Sequence, residues 1–580
     1  MSTPKGIRYI PAIDGLRAIA VIAVLLYHLG FGWIPGGFLG VDLFFVISGY
    51  VITRLLLDSI QRSGGLDLRG FYAGRIRRLL PPLLFMLVIT AIFVGVWAPD
   101  SMRRFITDAP FAITGLMNWW LVFKHQDYFE SFGRPPLLQH TWSLGVEAQY
   151  YLFWPLILLF VLKVFGKKVI PTAALAIASF SGIALFLASI RVDQTSNQSI
   201  SHVYFGTDTH SIGLFLGSAL AVSWIPQNLR LNIEKRAQDF IDFIGVFGLI
   251  GLLASFLFIQ EADATAYRIA FPLVGIFGSA IIMSVVHPAS RFAPILQHPV
   301  MVWIGERSYA IYLWHWIVFQ VTRPAQDLAG STWALYLFRI LVVFALADIS
   351  QRWIEVPVRH GVVSNWFRGM KYRTKEVQRR QKATAGLTAL ALLATIAVVS
   401  NNAIAIADRN NQIVKQMFKD DQVATISKVD GLWVVGDSVI LGIRNALEEK
   451  RHIGLINARV GRQAGELLDV IKHDKSKMVG MKAVINLGNN NRLTSDEVSA
   501  IFAELKEQPL VVVVNTAVPR GWRDENNQLI QQEAWKYSNF RVIDWAAKAE
   551  NHPEYFAPDG VHLIPAGIAA YVAAITNYLY

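Results

Sequence analysis

Four short segments in the last quarter of the chain carry residue types that could make and break an acyl bond. They are Gly436-Asp437-Ser438, Arg459-Val460-Gly461, Leu487-Gly488-Asn489-Asn490 and Asp559-Gly560-Val561-His562. Acyl transfer needs a nucleophile, a base, an acid that orients the base, and donors for the oxyanion. Ser438 can attack, His562 can take its proton, and Asp559 can hold the imidazole in the right tautomer. The main-chain amides of Ser438 and Gly461 and the side-chain amide of Asn490 can serve as oxyanion donors. A lone Gly-Asp-Ser carries little weight, because a serine there can simply cap a helix. Four such loops in this order are far more specific.

A second set lies in the first two thirds, where polar groups interrupt apolar runs. Arg17 and His28 flank the run Ala18 to Tyr27. Eleven residues return to the same face of a helix, about 16 Å along. One face thus offers a fixed positive charge and an imidazole, so an anionic donor anchored at Arg17 could present its reactive end to His28. Ionisable groups inside a membrane point to function by default; the bland alternative is a snorkelling arginine and a packing histidine. Asp42 and Ser48 interrupt the second run, and Arg75 and Arg78 share a helix face before Pro81-Pro82. Glu147 opens a run within "QHTWSLGVEAQYYLFWP" (139–155), and Glu306, Arg307 and His315 sit within "GERSYAIYLWHW" (305–316).

The elements that must hold these groups follow from composition. At 580 residues, 53% hydrophobic and 17% charged, the chain reads as an integral membrane protein with a second unit attached. There is no cysteine, which excludes thiol nucleophiles, thiolate metal sites and disulfides. No metal constellation is apparent, so no metal is expected. The net charge of +12 clusters in loops between apolar runs, where positive-inside topology accounts for it, and nucleic acid is not an expected partner.

Twelve runs approach spanning length. The basic loops between them alternate correctly only if one run between 79 and 165 fails to cross. The best choice is 105–123, with Asp108 and an interfacial Asn118-Trp119-Trp120. Ten spans then precede the basic stretch 354–383, and an eleventh, 384–404, leads out. Parity puts the N-terminus in the cytoplasm and the C-terminal region outside it, in a multi-pass plasma (inner) membrane protein. The N-terminus, basic then apolar without a small-residue cleavage site, reads as a retained first helix. Beyond 405, apolar runs at 432–435, 483–487, 510–515 and 541–543 alternate with helix-like stretches, which argues a parallel sheet covered on both faces. Reactive groups in such sheets sit in loops at the carboxyl ends of the strands. The expected fold is a polytopic α-helical membrane domain of ten spans plus one linking span, followed by an α/β/α domain.

The loops of 430–580 resemble the SGNH (GDSL-like) hydrolase family, whose signature residues would be Ser438, Gly461, Asn490 and His562; the run Asn489-Asn490-Asn491 departs from the usual pattern. Residues 5–362 resemble acyltransferase family 3. The motifs that carry this are Arg17-x10-His28, the stretch Gly40 to Gly49, Arg75-x-x-Arg78, Trp142-Ser143-Leu144-x-Val146-Glu147 and Ser308-Tyr309-x-x-Tyr312-Leu313-Trp314-His315. The resemblance implies that His28 is a catalytic base or acyl relay, that Arg17, Arg75 and Arg78 face coenzyme A, and that Asp42, Glu147 and His315 serve the membrane domain. Ala148 stands where a second acidic residue is usual, and His210 where arginine is common. The fusion resembles the OatA-type peptidoglycan O-acetyltransferases. That implies acetyl-CoA as a cytoplasmic donor and an extracytoplasmic cell-envelope glycan as acceptor, first of all N-acetylmuramic acid. Another surface polysaccharide, lipopolysaccharide, or an outward carbohydrate esterase are the alternatives. The expected units are a membrane domain (1–362), a basic cytoplasmic linker (363–383), an eleventh helix (384–404), an outer linker (405–429) and the SGNH-like domain (430–580).

Overall fold

The computed structural model describes residues 9–124, 135–190, 197–260, 264–322, 332–417, 422–426, 431–520, 522–557 and 560–579. Among them, nine helices are long and apolar enough to cross a membrane. The principal helices of the first two thirds are α1 (Pro11–Leu29), α2 (Gly40–Ser63), α3 (Leu68–Trp97), α4 (Met102–Thr114), α5 (Met117–Phe123), α6 (Trp142–Val164), α7 (Ile170–Ile190), α8 (Ile212–Ser223), α9 (Lys235–Phe258), α10 (Ala264–Val286), α11 (Pro299–Val321), α12 (Thr332–Ile349) and α13 (Lys375–Met417).

Two of the eleven expected spans take another form, and the run expected not to cross is broken. The run 105–123 is split into α4 and α5 at Gly115, whose φ of +70° ends the first helix. The run 209–225 yields α8, only 12 residues, or about 18 Å, against a hydrocarbon core of about 30 Å. Helix α11 has the length, at 23 residues, but carries Glu306, Arg307 and His315 and is buried along most of its course. A helix wrapped by others need not be apolar enough to face lipid. Helix α13 runs unbroken for 43 residues, so the stretches on either side of 384–404 are partly helix as well.

Helices in lipid pack where small residues let backbones approach. A Cβ on Gly305 of α11 would lie 1.8 Å from the carbonyl oxygen of Asp14 in α1, and one on Gly49 of α2 would lie 1.9 Å from that of Leu214 in α8. Helix α1 starts with proline at its first position, where the missing N–H costs nothing. It ends at Gly30, whose left-handed conformation (φ +88°) bonds back to Leu26 and Tyr27 and leaves His28 in the last turn.

The C-terminal unit is a six-stranded sheet in the order β1-β3-β2-β4-β5-β6. The strands are β1 (Gln422–Ile426), β2 (Leu432–Gly436), β3 (Ile453–Arg459), β4 (Lys482–Asn486), β5 (Val511–Val514) and β6 (Phe540–Ile543). All pair in parallel except β1, which lies antiparallel on β3 with Gln422 opposite Arg459. Helices α14 (Ser438–Lys450), α15 (Ala464–Asp474), α16 (Ser495–Leu505), α17 (Arg523–Ala534) and α18 (Pro565–Tyr578) cover it. Along β2, Leu432 and Val434 join the core under α14 and α18, while Trp433 and Val435 join the opposite core under α15 and α16. That is the period of two expected of a strand buried on both faces. Strands β1 and β3 fall outside the apolar runs that mark the other four. Because β2 lies between β3 and β4, the chain reverses direction across the sheet there, and the carboxyl end of β2 opens a crevice.

Gly305→Val forces a side chain against the α1 backbone. It is expected to destabilise the membrane domain by at least about 1–3 kcal/mol, read as a lower melting temperature of the full chain in detergent.

Candidate active site

Ser438 begins α14 directly after β2, at that crevice. Asp437 caps the helix: its Oδ1 accepts the Val439 amide at 2.9 Å. Its Oδ2 accepts the side-chain amides of Asn489 at 2.8 Å and Asn490 at 3.1 Å. One carboxylate thus ties the loop after β4 to the turn after β2. Ser438 is 1% exposed, and its hydroxyl has no hydrogen-bond partner among the described residues. Its main-chain N–H belongs to the first turn of α14, where amides lack intrahelical acceptors. Gly461 occupies the turn after β3 with φ +76°, which suits glycine.

Asn490 Nδ2 also donates to the Arg462 carbonyl at 2.9 Å, so the amide expected to face an oxyanion is here spent on Asp437 and Arg462. His562 sits on a loop fastened by the Ala557 amide donating to its carbonyl at 2.7 Å and by a bridge between Phe556 and Leu563. Its ring is close enough to act electrostatically on the Asp437 carboxylate. Asp559 lies outside the described residues. Burial pushes the Asp437 carboxyl above the usual aspartate range, against the pull of the Val439 amide, Asn489, His562 and Arg462.

Arg462 is the group that sequence reasoning passed over in this half. It is 5% exposed, and its guanidinium donates to the carbonyls of Gly436 (3.0 Å) and Asn457 (2.7 Å) and to Asn457 Oδ1 (2.8 Å). It joins the carboxyl ends of β2 and β3. Burial, with repulsion from Arg459, lowers its pKa from the ordinary arginine value. A charged residue one step past Gly461, itself in one of the four candidate loops, was the available signal.

In the membrane half, a cavity of about 460 Å³ is lined by Arg17, Arg75, Arg78, Glu147, Tyr309 and Glu355, among others. Arg17 is held by Asp14 at 2.9 Å, and Glu147 accepts the Ser48 hydroxyl. Buried atoms at the wall lack hydrogen-bond partners, notably Arg75 Nε, Arg78 Nε, Ser308 Oγ and Glu355 Oε2. Such atoms are costly unless a ligand satisfies them. Glu355 ends a π-helix, Ser350–Glu355, a distortion that recurs at functional sites.

The structure brings Arg17, Arg75, Arg78 and Glu147 together, and keeps Asp42, His28 and His315 apart from them. Asp42 pairs instead with His210 Nε2 at 2.9 Å, and His210 Nδ1 donates to the Tyr204 carbonyl at 2.6 Å. The histidine that departs from the expected arginine is thus the partner of a buried carboxylate. Arg17 and His28 do not share one pocket. Tyr312 lines the inner wall of the cavity. Its ring lies 5.3 Å from that of His315, which lies 5.1 Å from that of His28. His140, unassigned from sequence, packs against the same pair, 5.8 Å from the His315 ring. Among the described residues no group of three or more His, Asp or Glu side chains could hold a metal ion.

Comparison with known proteins now bears on these two sites. Residues 10–352 match the acyltransferase domain family. The chain belongs to this family. The matched segment takes in Arg17, His28, Asp42, Arg75, Arg78, Glu147 and His315 and stops just short of Glu355. The acyltransferase is also 31% identical to the peptidoglycan O-acetyltransferase OatA of Listeria monocytogenes over 99% of its own length and 98% of that protein. It is 34% identical to the O-acetyltransferase OatA of Staphylococcus aureus, over 97% and 95% of the two chains. A solved structure, the C-terminal catalytic domain of peptidoglycan O-acetyltransferase A from Streptococcus pneumoniae with a methylsulfonyl adduct, aligns with 26% of this chain and 94% of its own at 24% identity and a TM-score of 0.24. With nine helices of spanning length and composition among its described residues, the acyltransferase is a multi-pass membrane protein.

The raised Asp437 pKa has a signed consequence. A carboxyl raised on folding stabilises the fold below its unfolded value of about 3.8, and that contribution is lost as pH rises through the folded value. Asp437→Ser keeps a capping oxygen and removes the titration. The stability of the wild type relative to this variant is therefore expected to fall as pH rises from 4 and then to level off, read by thermal denaturation across pH.

Proposed function

We propose that this acyltransferase transfers acetyl groups from cytoplasmic acetyl-CoA to hydroxyls of peptidoglycan outside the membrane, with the C6 hydroxyl of N-acetylmuramic acid as the foremost acceptor. The observation that carries this reading is end-to-end similarity to a peptidoglycan O-acetyltransferase, which spans the arginine-lined cavity and the Ser438 site in one chain. In this reading the N-terminus is cytoplasmic and the C-terminal domain extracytoplasmic.

Arg17, Arg75 and Arg78 serve the phosphates of coenzyme A, for which a rigid guanidinium fork is well suited. The acetyl group passes outward by way of His28. Ser438 Oγ then attacks the acetyl carbonyl while His562 takes its proton, oriented by Asp559. The oxyanion rests on the amides of Ser438 and Gly461, joined by Asn490 once its amide turns from Asp437. Collapse expels the donor, which takes the proton from His562, and leaves an acetyl-serine with His562 neutral again. His562 next takes the proton of a sugar hydroxyl, which attacks the acetyl-serine; Ser438 leaves and recovers its proton from His562.

Cells expressing the wild type are expected to yield base-labile acetate from purified peptidoglycan. Ser438→Ala, His562→Ala and His28→Ala are each expected to lower it by about 10³-fold or to background. Acetate absent with the folded wild type, or unchanged in Ser438→Ala, would sink the proposal.

A further inference from the structure

We propose that His315 is the positioning residue of His28: a buried, uncharged acceptor that fixes the tautomer of the imidazole and leaves its Nε2 as the base. This rests on the reading above, in which His28 handles the acyl group.

The assignment follows from which atoms can donate. His315 Nδ1 lies 2.7 Å from the carbonyl oxygen of Tyr312, one turn back on α11. A carbonyl can only accept, so the neutral His315 ring carries its proton on Nδ1 and presents a lone pair at Nε2. That Nε2 lies 3.2 Å from His28 Nδ1. Two lone pairs cannot face each other at this distance, so His28 Nδ1 carries the proton and donates. The carbonyl of Val24, one turn back on α1, also accepts from the His28 ring, and the same N–H can serve both. The basic nitrogen of neutral His28 is then Nε2.

Both rings are held in place. His315 is fully buried, and the Trp316 ring stands edge-on to His28 at 5.0 Å. His140 braces the far side of His315, its own Nε2 donating to the Leu313 carbonyl at 3.1 Å. Among the described residues His315 and His140 act electrostatically on His28, and the Tyr27 ring stands edge-on to it at 4.9 Å. A carboxylate does this orienting work in many hydrolases. Here the acceptor is neutral, which avoids burying an unpaired charge among apolar helices. When a hydroxyl attacks the acetyl thioester, His28 Nε2 takes its proton while Nδ1–H stays bonded to His315; the C–S bond then breaks and the proton on Nε2 passes to the departing coenzyme A thiolate.

Two substitutions separate orientation from packing. His315→Gln can place an amide oxygen near the position of Nε2, whereas His315→Leu fills the site without an acceptor. In the purified full chain, His315→Gln is expected to keep acetyl-CoA-dependent transfer within about 10-fold. His315→Leu is expected to lose about 10²-fold or more in kcat with KM for acetyl-CoA unchanged, the pattern of a misoriented base. Nitrogen NMR of histidine-labelled protein, with the His28 signal assigned by its loss in His28→Gln, is expected to show Nδ1–H in the wild type and a tautomer mixture in His315→Leu. A wild-type His28 protonated on Nε2, a fully active His315→Leu, or equal losses in the two variants would overturn the assignment. Inactive wild type, or fully active His28→Ala, would instead remove the functional reading beneath it, and the NMR would still decide which tautomer His315 imposes.

Discussion

The membrane half is organised around the contact between the Asp14 carbonyl and Gly305, where two helix backbones meet with no room for a side chain. Lipid supplies no hydrophobic drive for helices to associate, so close packing has to do so. Once α1 and α11 touch there, their neighbouring residues are committed. Arg17, bound to Asp14, is turned toward the cavity, and His28 and His315 meet farther along the same pair of helices. Arg17, His28 and His315, each costly alone in such surroundings, become tolerable because the packing delivers each to a partner.

The soluble half applies the same logic with a different centre. Asp437 accepts from the helix it caps and from two asparagines of another loop, and Arg462 binds the strand ends on either side. The serine beside Asp437 takes no part in this network among the described residues. The Ser438 hydroxyl is thus fixed by its surroundings rather than by side-chain bonds of its own, which leaves its lone pairs available.

Much of this was legible in the sequence, and the remainder has a common cause. Short-range spacing reports local structure, so the strand-turn-helix at Gly436-Asp437-Ser438, the broken run at Gly115 and the Arg75/Arg78 pair were all open to reading. Pairings between distant segments leave no local trace. Nothing near Asp42 names His210 as its partner, and nothing near His315 announces His140 or His28. Hydropathy also misleads for α11, because it measures fitness for lipid and this helix mostly faces protein. Strand β1 escaped because an edge strand needs only a neighbour's open backbone, not an apolar run of its own. The Asn490 amide was read as an oxyanion donor from its position in a motif; its engagement with Asp437 depends on a rotamer, which no sequence specifies.

The direction of β1 carries a geometric consequence. Because it runs antiparallel and starts opposite Arg459, the chain enters the sheet at the end that holds the Ser438 and Gly461 loops. Met417 closes α13 and Gln422 opens β1, so the connecting backbone can extend at most about 18 Å. So short a leash keeps the Ser438 rim near the tip of α13, and in the proposed transfer it turns the search of that serine for an incoming group from free diffusion into a confined one. In that reading the local concentration of Ser438 is set by chain length, and lengthening the leash would dilute it without altering a single side chain of the site.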